Sequence, residues 1–184
     1  MKFKIHTVRT APEASKPVLI EAEKKYRFVP NLFGVFAESP LAAKAYLQLS
    51  GLIQSQSLLS PQEQQVVMLA VSFENQCDYC MAAHSAGAAM AQTPPDVIQA
   101  LRDGKLPANS KLATLITFAR AVVQQRGWVK DADVEALLAA GYTRAQVLDV
   151  IVIVALKTIS NYTNHVAQTP LDAAFASQKW ARPQ

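Results

Sequence analysis

Cysteine is scarce in this 184-residue chain: there are two, Cys77 and Cys80, too few for the disulfide framework of a small secreted domain. Charge is also sparse. Charged residues make up 17% and the formal net charge is +4. Lys24-Lys25 is the only adjacent basic pair, so no basic stripe supports nucleic-acid binding. The longest apolar run, 150–156, is bounded by Asp149 and Lys157 and falls far short of the roughly 20 residues of a membrane span, which reads as a buried helix. The first residues, MKFKIHTVRTAPEASKP, lack the apolar stretch of a secretion signal, so a cytoplasmic protein with no membrane partner is the expectation. Strand alternation bounded by hairpin turns is missing as well.

Helix punctuation is abundant. Ser39-Pro40 pairs an N-cap with proline at the first helical position, ahead of LAAKAYLQLSGLIQ. Ser60-Pro61-Gln62-Glu63 repeats the device and adds a capping box, with Glu63 three residues past Ser60. Thr93-Pro94 opens PDVIQALRD, closed by Gly104; two further segments run to Gly127 and Gly141; Thr143 caps a long helix ending before Pro170. Leu112, Leu115, Ile116, Ala119, Val122 and Val123 follow helical spacing. An all-α domain of about seven or eight helices is predicted, spanning 1–184 as one unit. Residues 1–12 form an extended arm, and 27–35 a loop, because Pro30 forbids a helix through Val29. A weak internal similarity lays the segment from Gln64 on that from Ala145, suggesting a duplicated helical unit whose second copy, 143–169, has lost its cysteines.

The chemistry concentrates in CDYCMAAHS. On a helix, Cys77, Cys80 and His84 at i, i+3 and i+7 share one face. The sequence ENQ just before them marks a helix break, which puts both cysteines in a first turn, where the helix dipole favours a thiolate. Imidazole one turn past Cys80 is placed to hydrogen-bond that thiol or take its proton. A structural zinc site needs about four ligands, and only His165 is available to complete Cys77, Cys80 and His84. A thioredoxin-like site expects a preceding strand. Inert buried cysteines remain the bland alternative.

The stretch LSPQEQQVVMLAVSFENQCDYCMAAHS resembles the core motif of the carboxymuconolactone decarboxylase / AhpD-like alkylhydroperoxidase family, closely over about 58–91 and more loosely elsewhere, including GYTRAQVLDVI and NYTNH. The uncharacterised peroxidase-related branch is the nearest in pattern. The resemblance implies an all-α fold, homo-oligomers, and hydroperoxide reduction by a CxxC pair without haem, flavin or another cofactor. It also implies regeneration by a lipoyl-type or other external dithiol. Residue by residue, Cys80 resembles the peroxidatic cysteine, Cys77 the resolving one and His84 the relay histidine, though the two cysteine roles are interchangeable at this level. The family's relay glutamate falls on Gln65, which cannot accept a proton; Glu63 and Glu74 are the available substitutes. Tyr79 stands where a histidine precedes the second cysteine in AhpD. The alternatives are a cofactor-free decarboxylase or lactone-processing enzyme using His84 or His165, and a non-catalytic redox sensor.

Overall fold

A computed structural model describes residues 3–183. The first two residues of the expected arm lie outside them. Among the described residues there are nine α-helices and no strand: α1 (Lys16–Tyr26), α2 (Asn31–Phe36), α3 (Pro40–Gln56), α4 (Pro61–Glu74), α5 (Asp78–Met90), α6 (Pro95–Arg102), α7 (Ser110–Gln124), α8 (Asp131–Ala139) and α9 (Arg144–Ala167). Two short 3₁₀ segments, Glu13–Ser15 and Ala173–Gln178, complete the set.

The helix starts follow local chemistry. The Ser39 side chain accepts from the Ala42 N–H. Ser60 with Glu63, and Thr143 with Gln146, close reciprocal capping boxes at α4 and α9. At the helix ends, Gly104, Gly127 and Gly141 take positive φ, the left-handed conformation that terminates a helix without a Cβ penalty.

Helix α4 is the axis of the domain. Its residues 66–73 are all buried, and it packs against α5, α6, α7 and α9. A helix apolar on every side requires such enclosure. Helix α9 lies against α3, α4 and α2 as well, with a one-sided distribution. Val150, Ile153, Leu156, Lys157, Ser160, Asn161 and Asn164 are buried, whereas Leu148, Ile151, Val152, Tyr162 and Val166 are exposed. The helix is therefore half-covered rather than wholly buried. By length and composition alone it is the one helix among the described residues apolar enough to cross a membrane.

The segment 27–35 differs from the expected loop. Pro30 does keep Val29 out of a helix, but α2 starts at Asn31 and buries five of its six residues. Its N-terminal donors are satisfied from far along the chain: the Asn31 N–H donates to the Asp172 carboxylate (3.0 Å) and the Leu32 N–H to the Tyr79 hydroxyl (3.3 Å). No local cap signal announces such a helix. The arm is pinned by His6, whose N–H donates to the Gly34 carbonyl and whose ring bridges the Thr10 carbonyl and Glu38. A Cβ at Gly34 would lie 2.7 Å from an Ile5 methyl carbon, so glycine permits this approach. The segments of the internal similarity differ in shape. Helices α4 and α5 are separated at 75–77, whereas α9 is continuous.

Removing the α9 cap with Thr143→Ala should cost about 1 kcal/mol of stability. Urea unfolding of the variant beside the wild type checks this, and an unchanged midpoint would show that the cap contributes nothing.

Candidate active site: a buried dithiol beside an apolar cavity

Helix α4 ends with Gln76 in the left-handed conformation (φ 56°). The Cys77 N–H donates to the Ser72 carbonyl and the Gln76 N–H to the Phe73 carbonyl, the paired bonds of a Schellman motif. A non-glycine residue there costs of order 1 kcal/mol or more. The break delivers Cys77 as the N-cap of α5 and Cys80 as its third residue. Both are free thiols, and both are buried. Asn164, from α9, directs its Nδ2 amide at both sulfurs, 3.3 Å from Cys80 and 3.8 Å from Cys77.

The two thiols are not equivalent. Cys80 lines a cavity of about 310 Å³; Cys77 does not. Aromatic side chains from five segments, Tyr26, Phe33, Tyr46, Tyr79 and Phe175, share its wall with Met68 and Leu156. No carboxylate among the described residues lines it.

Burial pushes the Cys80 thiol up, but a hydrogen bond from Cys77 and the charge and hydrogen bonding of the Lys157 ammonium outweigh it, and Ser160 adds to them. The net direction for Cys80 is down. Cys77 moves up, because it shares its hydrogen with the Cys80 thiolate and is itself buried. One thiolate and one thiol is the resulting state of the pair.

His84 lines the cavity, yet its partners are not the thiols. Lys157 Nζ donates to His84 Nε2 (2.8 Å), so the Nδ1 proton is the one shared with Gln65 Oε1 (3.0 Å). Burial and the adjacent Lys157 charge hold His84 well below the usual imidazole range. Gly87 makes room for the Gln65 carbonyl, which a Cβ would approach to 2.9 Å.

The two substitute carboxylates are elsewhere. Glu63 accepts from the Ser60 N–H and from the Tyr142 hydroxyl and pairs with Lys111. Burial raises its carboxyl, but those partners outweigh it and hold it low. Glu74 pairs with Arg120 and accepts from Gln124. Neither reaches His84 or the cavity, because both are bound at the ends of α4 by unrelated partners. His165 is likewise outside the site: it is exposed and stacked on Tyr162. It is therefore no fourth ligand for Cys77, Cys80 and His84. No cluster of three or more metal-ligating side chains occurs among the described residues. Tyr79 does more than pack: its hydroxyl donates to Asp172 while accepting from Leu32.

The site residues not assigned from the sequence are Lys157, Ser160 and Asn164, all from α9. Their signal was present, since Val150, Ile153, Lys157, Ser160 and Asn164 form one buried stripe at helical spacing. Polar residues on a core stripe mark a site.

Residues 40–110 match the sequence profile of the Carboxymuconolactone decarboxylase family. The matched segment holds Cys77, Cys80 and His84 and is similar to that family's core. No curated protein matches the sequence significantly. Among solved structures, the AhpD core of an uncharacterised peroxidase-related protein from Ralstonia eutropha JMP134 is similar, with 24% identity and a TM-score of 0.82, covering 95% of this chain and 93% of that one. A peroxidase-related protein from Silicibacter sp. TM1040 gives 20% identity and 0.78, covering 89% and 87%. The debrominase Bmp8, in a cysteine-to-alanine form with 2,3,4-tribromopyrrole, gives 18% and 0.81, covering 97% and 95%. At these identities the likeness establishes the shared fold.

At neutral pH, iodoacetamide is expected to modify Cys80 at least about ten-fold faster than Cys77. Because the Cys80 pKa is depressed, its labelling rate should fall only at pH values below the ordinary thiol range, as protonation sets in. Peptide mass mapping measures both rates, and faster labelling of Cys77 would contradict the assignment.

Proposed function

We propose that this protein is a thiol-dependent oxidoreductase that reduces organic hydroperoxides through a Cys80/Cys77 dithiol–disulfide cycle. The observation that carries the proposal is the asymmetry of the pair: Cys80 faces the cavity as the thiolate-favoured member, and Cys77 stands behind it as a thiol. The Cys80 thiolate attacks the outer peroxide oxygen. An S–O bond forms, the O–O bond breaks, and the alkoxide leaves as an alcohol after gaining a proton. The Cys77 thiol then attacks the sulfenic sulfur, the S–S bond forms and water departs. An external dithiol, of the lipoyl type or another, reduces the disulfide by exchange. A cavity of about 310 Å³ with aromatic walls suits a substrate with an apolar body rather than hydrogen peroxide alone.

A cofactor-free decarboxylase is less well supported, because both His84 nitrogens are engaged, one by Lys157 and one by Gln65. Reductive dehalogenation of a flat aromatic ring has one observation in its favour. The aromatic walls around Cys80 would accept such a ring, and the similar Bmp8 structure is that of a debrominase holding a bromopyrrole.

One equivalent of cumene hydroperoxide should remove two hydrogens from the reduced protein, reversibly with a dithiol, as read by intact mass. Cys80→Ser should consume no peroxide, and Cys77→Ser should stop at a sulfenic acid. Bromide release from a bromopyrrole with no peroxide consumption would favour dehalogenation. Oxidation without turnover under any dithiol would leave only a redox sensor.

The stripe Leu148, Val152, Ala155, Ile159, Tyr162 and Val166 on α9, exposed except at the half-buried Ile159, alternates spacings of four and three, the pattern of a helix–helix seam. It supports a homo-oligomer. Val152→Asp should reduce the mass seen by light scattering to that of one chain, and a wild-type monomer would refute the assembly.

A further inference from the structure

We propose that Lys157 is the proton donor of this site, so that the relay runs on a buried cation rather than on a carboxylate. The proposal rests on the hydroperoxide reading above.

The polarity of the buried row fixes the direction of proton flow. The Gln65 carbonyl accepts from His84 Nδ1, and His84 Nε2 accepts from Lys157 Nζ. The imidazole proton thus points away from Cys80, toward an amide oxygen that cannot take it. Lys157 is fully buried, and its ammonium is the cation beside Cys80. The other titratable groups facing Cys80 are Tyr46 from α3 and Cys77 and Tyr79 from α5, with His84 one turn on; burial first, and neighbouring groups, hold both phenols well above their usual range. The cavity wall adds Tyr26 and Lys25 from α1, and Lys25 is exposed and donates to Gln54. Lys157 therefore carries the N–H that is available when negative charge develops on a departing oxygen. The neutral His84 steadies the amine left behind.

The atoms balance. The Cys80 thiolate takes the outer oxygen of ROOH, the alkoxide takes a proton from the Lys157 ammonium, and an alcohol, a sulfenic acid and a neutral amine result. Cys77 then passes its thiol proton to Lys157 as it attacks the sulfenic sulfur. The departing hydroxide takes that proton back and leaves as water. When the external dithiol reduces the disulfide, one of its protons returns to Cys77 and the other to Lys157, which restores the thiolate–ammonium pair.

The test compares three reagents that attack the same Cys80 thiolate but differ in what leaves. Iodoacetamide expels iodide and peroxybenzoic acid expels a carboxylate, and neither needs a proton donor. tert-Butyl hydroperoxide expels an alkoxide, which does. In Lys157→Met, alkylation should slow about 30-fold at pH 7, as a thiol near its ordinary pKa is only a few per cent ionised, and its pH inflection should move up. Relative to alkylation at the same pH, the tert-butyl hydroperoxide rate should fall a further 100-fold or so, the size of a lost general acid. The peroxybenzoic acid rate should keep its ratio to alkylation within about three-fold. Lys157→Gln serves as a second variant should the methionine form fold poorly. Equal losses for both peroxides, or none, would overturn the proton-donor role while leaving the peroxidase reading intact. A wild type that alkylates readily yet consumes no alkyl hydroperoxide would overturn both.

Discussion

A lysine ammonium sealed inside an apolar domain is the constraint from which the rest of the site follows. Lys157 has no exposed surface. Removing a charge from water costs several kcal/mol unless partners replace the lost hydration. The neighbours supply this from two sides: a thiol that ionises in its field, and an imidazole that stays neutral so that one nitrogen can accept. Each neighbour is then committed by the same charge. Cys80 is held toward thiolate, and His84 is denied a second proton. Gln65 suits this arrangement, since it receives the His84 proton as an acceptor without drawing it off.

The scaffold keeps that charge in register. Helix α4 lies between α5, which brings the cysteines and His84, and α9, which brings Lys157 and Asn164. The left-handed Gln76 turns the chain sharply enough for Cys77 and Cys80 to occupy one helical first turn. On the other side of the pair, Asp172 ties Tyr79 and the start of α2 to the C-terminal segment, so the wall formed by Leu32 and Phe33 is set by a residue 141 positions from Asn31.

Local chemistry was legible in the sequence. The Ser-Pro starts at α3 and α4, the Thr143 cap of α9, and the shared face of Cys77, Cys80 and His84 all depend on residues within one or two turns. Long-range partners were not. Glu63 and Glu74 were attractive as relay carboxylates because they are close in sequence to the motif, yet cap and ion-pair partners hold them at the ends of α4. Lys157, 73 positions from His84, looked like the polar border of an apolar run, and α2 lacked a cap signal because its cap comes from Asp172. His165 stood as a candidate fourth ligand, but α9 turns that face outward.

The related folds include peroxidase-related proteins and a debrominase, so the shared fold does not by itself specify an activity. In this chain the electrostatics of the dithiol decide what it can do, and they are open to direct observation. The ultraviolet absorbance of thiolate, followed against pH in the reduced protein and subtracted from that of Cys80→Ser, measures them. One thiolate present at neutral pH, lost on acidification and absent from the variant, is the result expected if Lys157 holds Cys80 ionised. Absorbance that rises only in the ordinary range of a free thiol, near pH 8.5 or so, would contradict it.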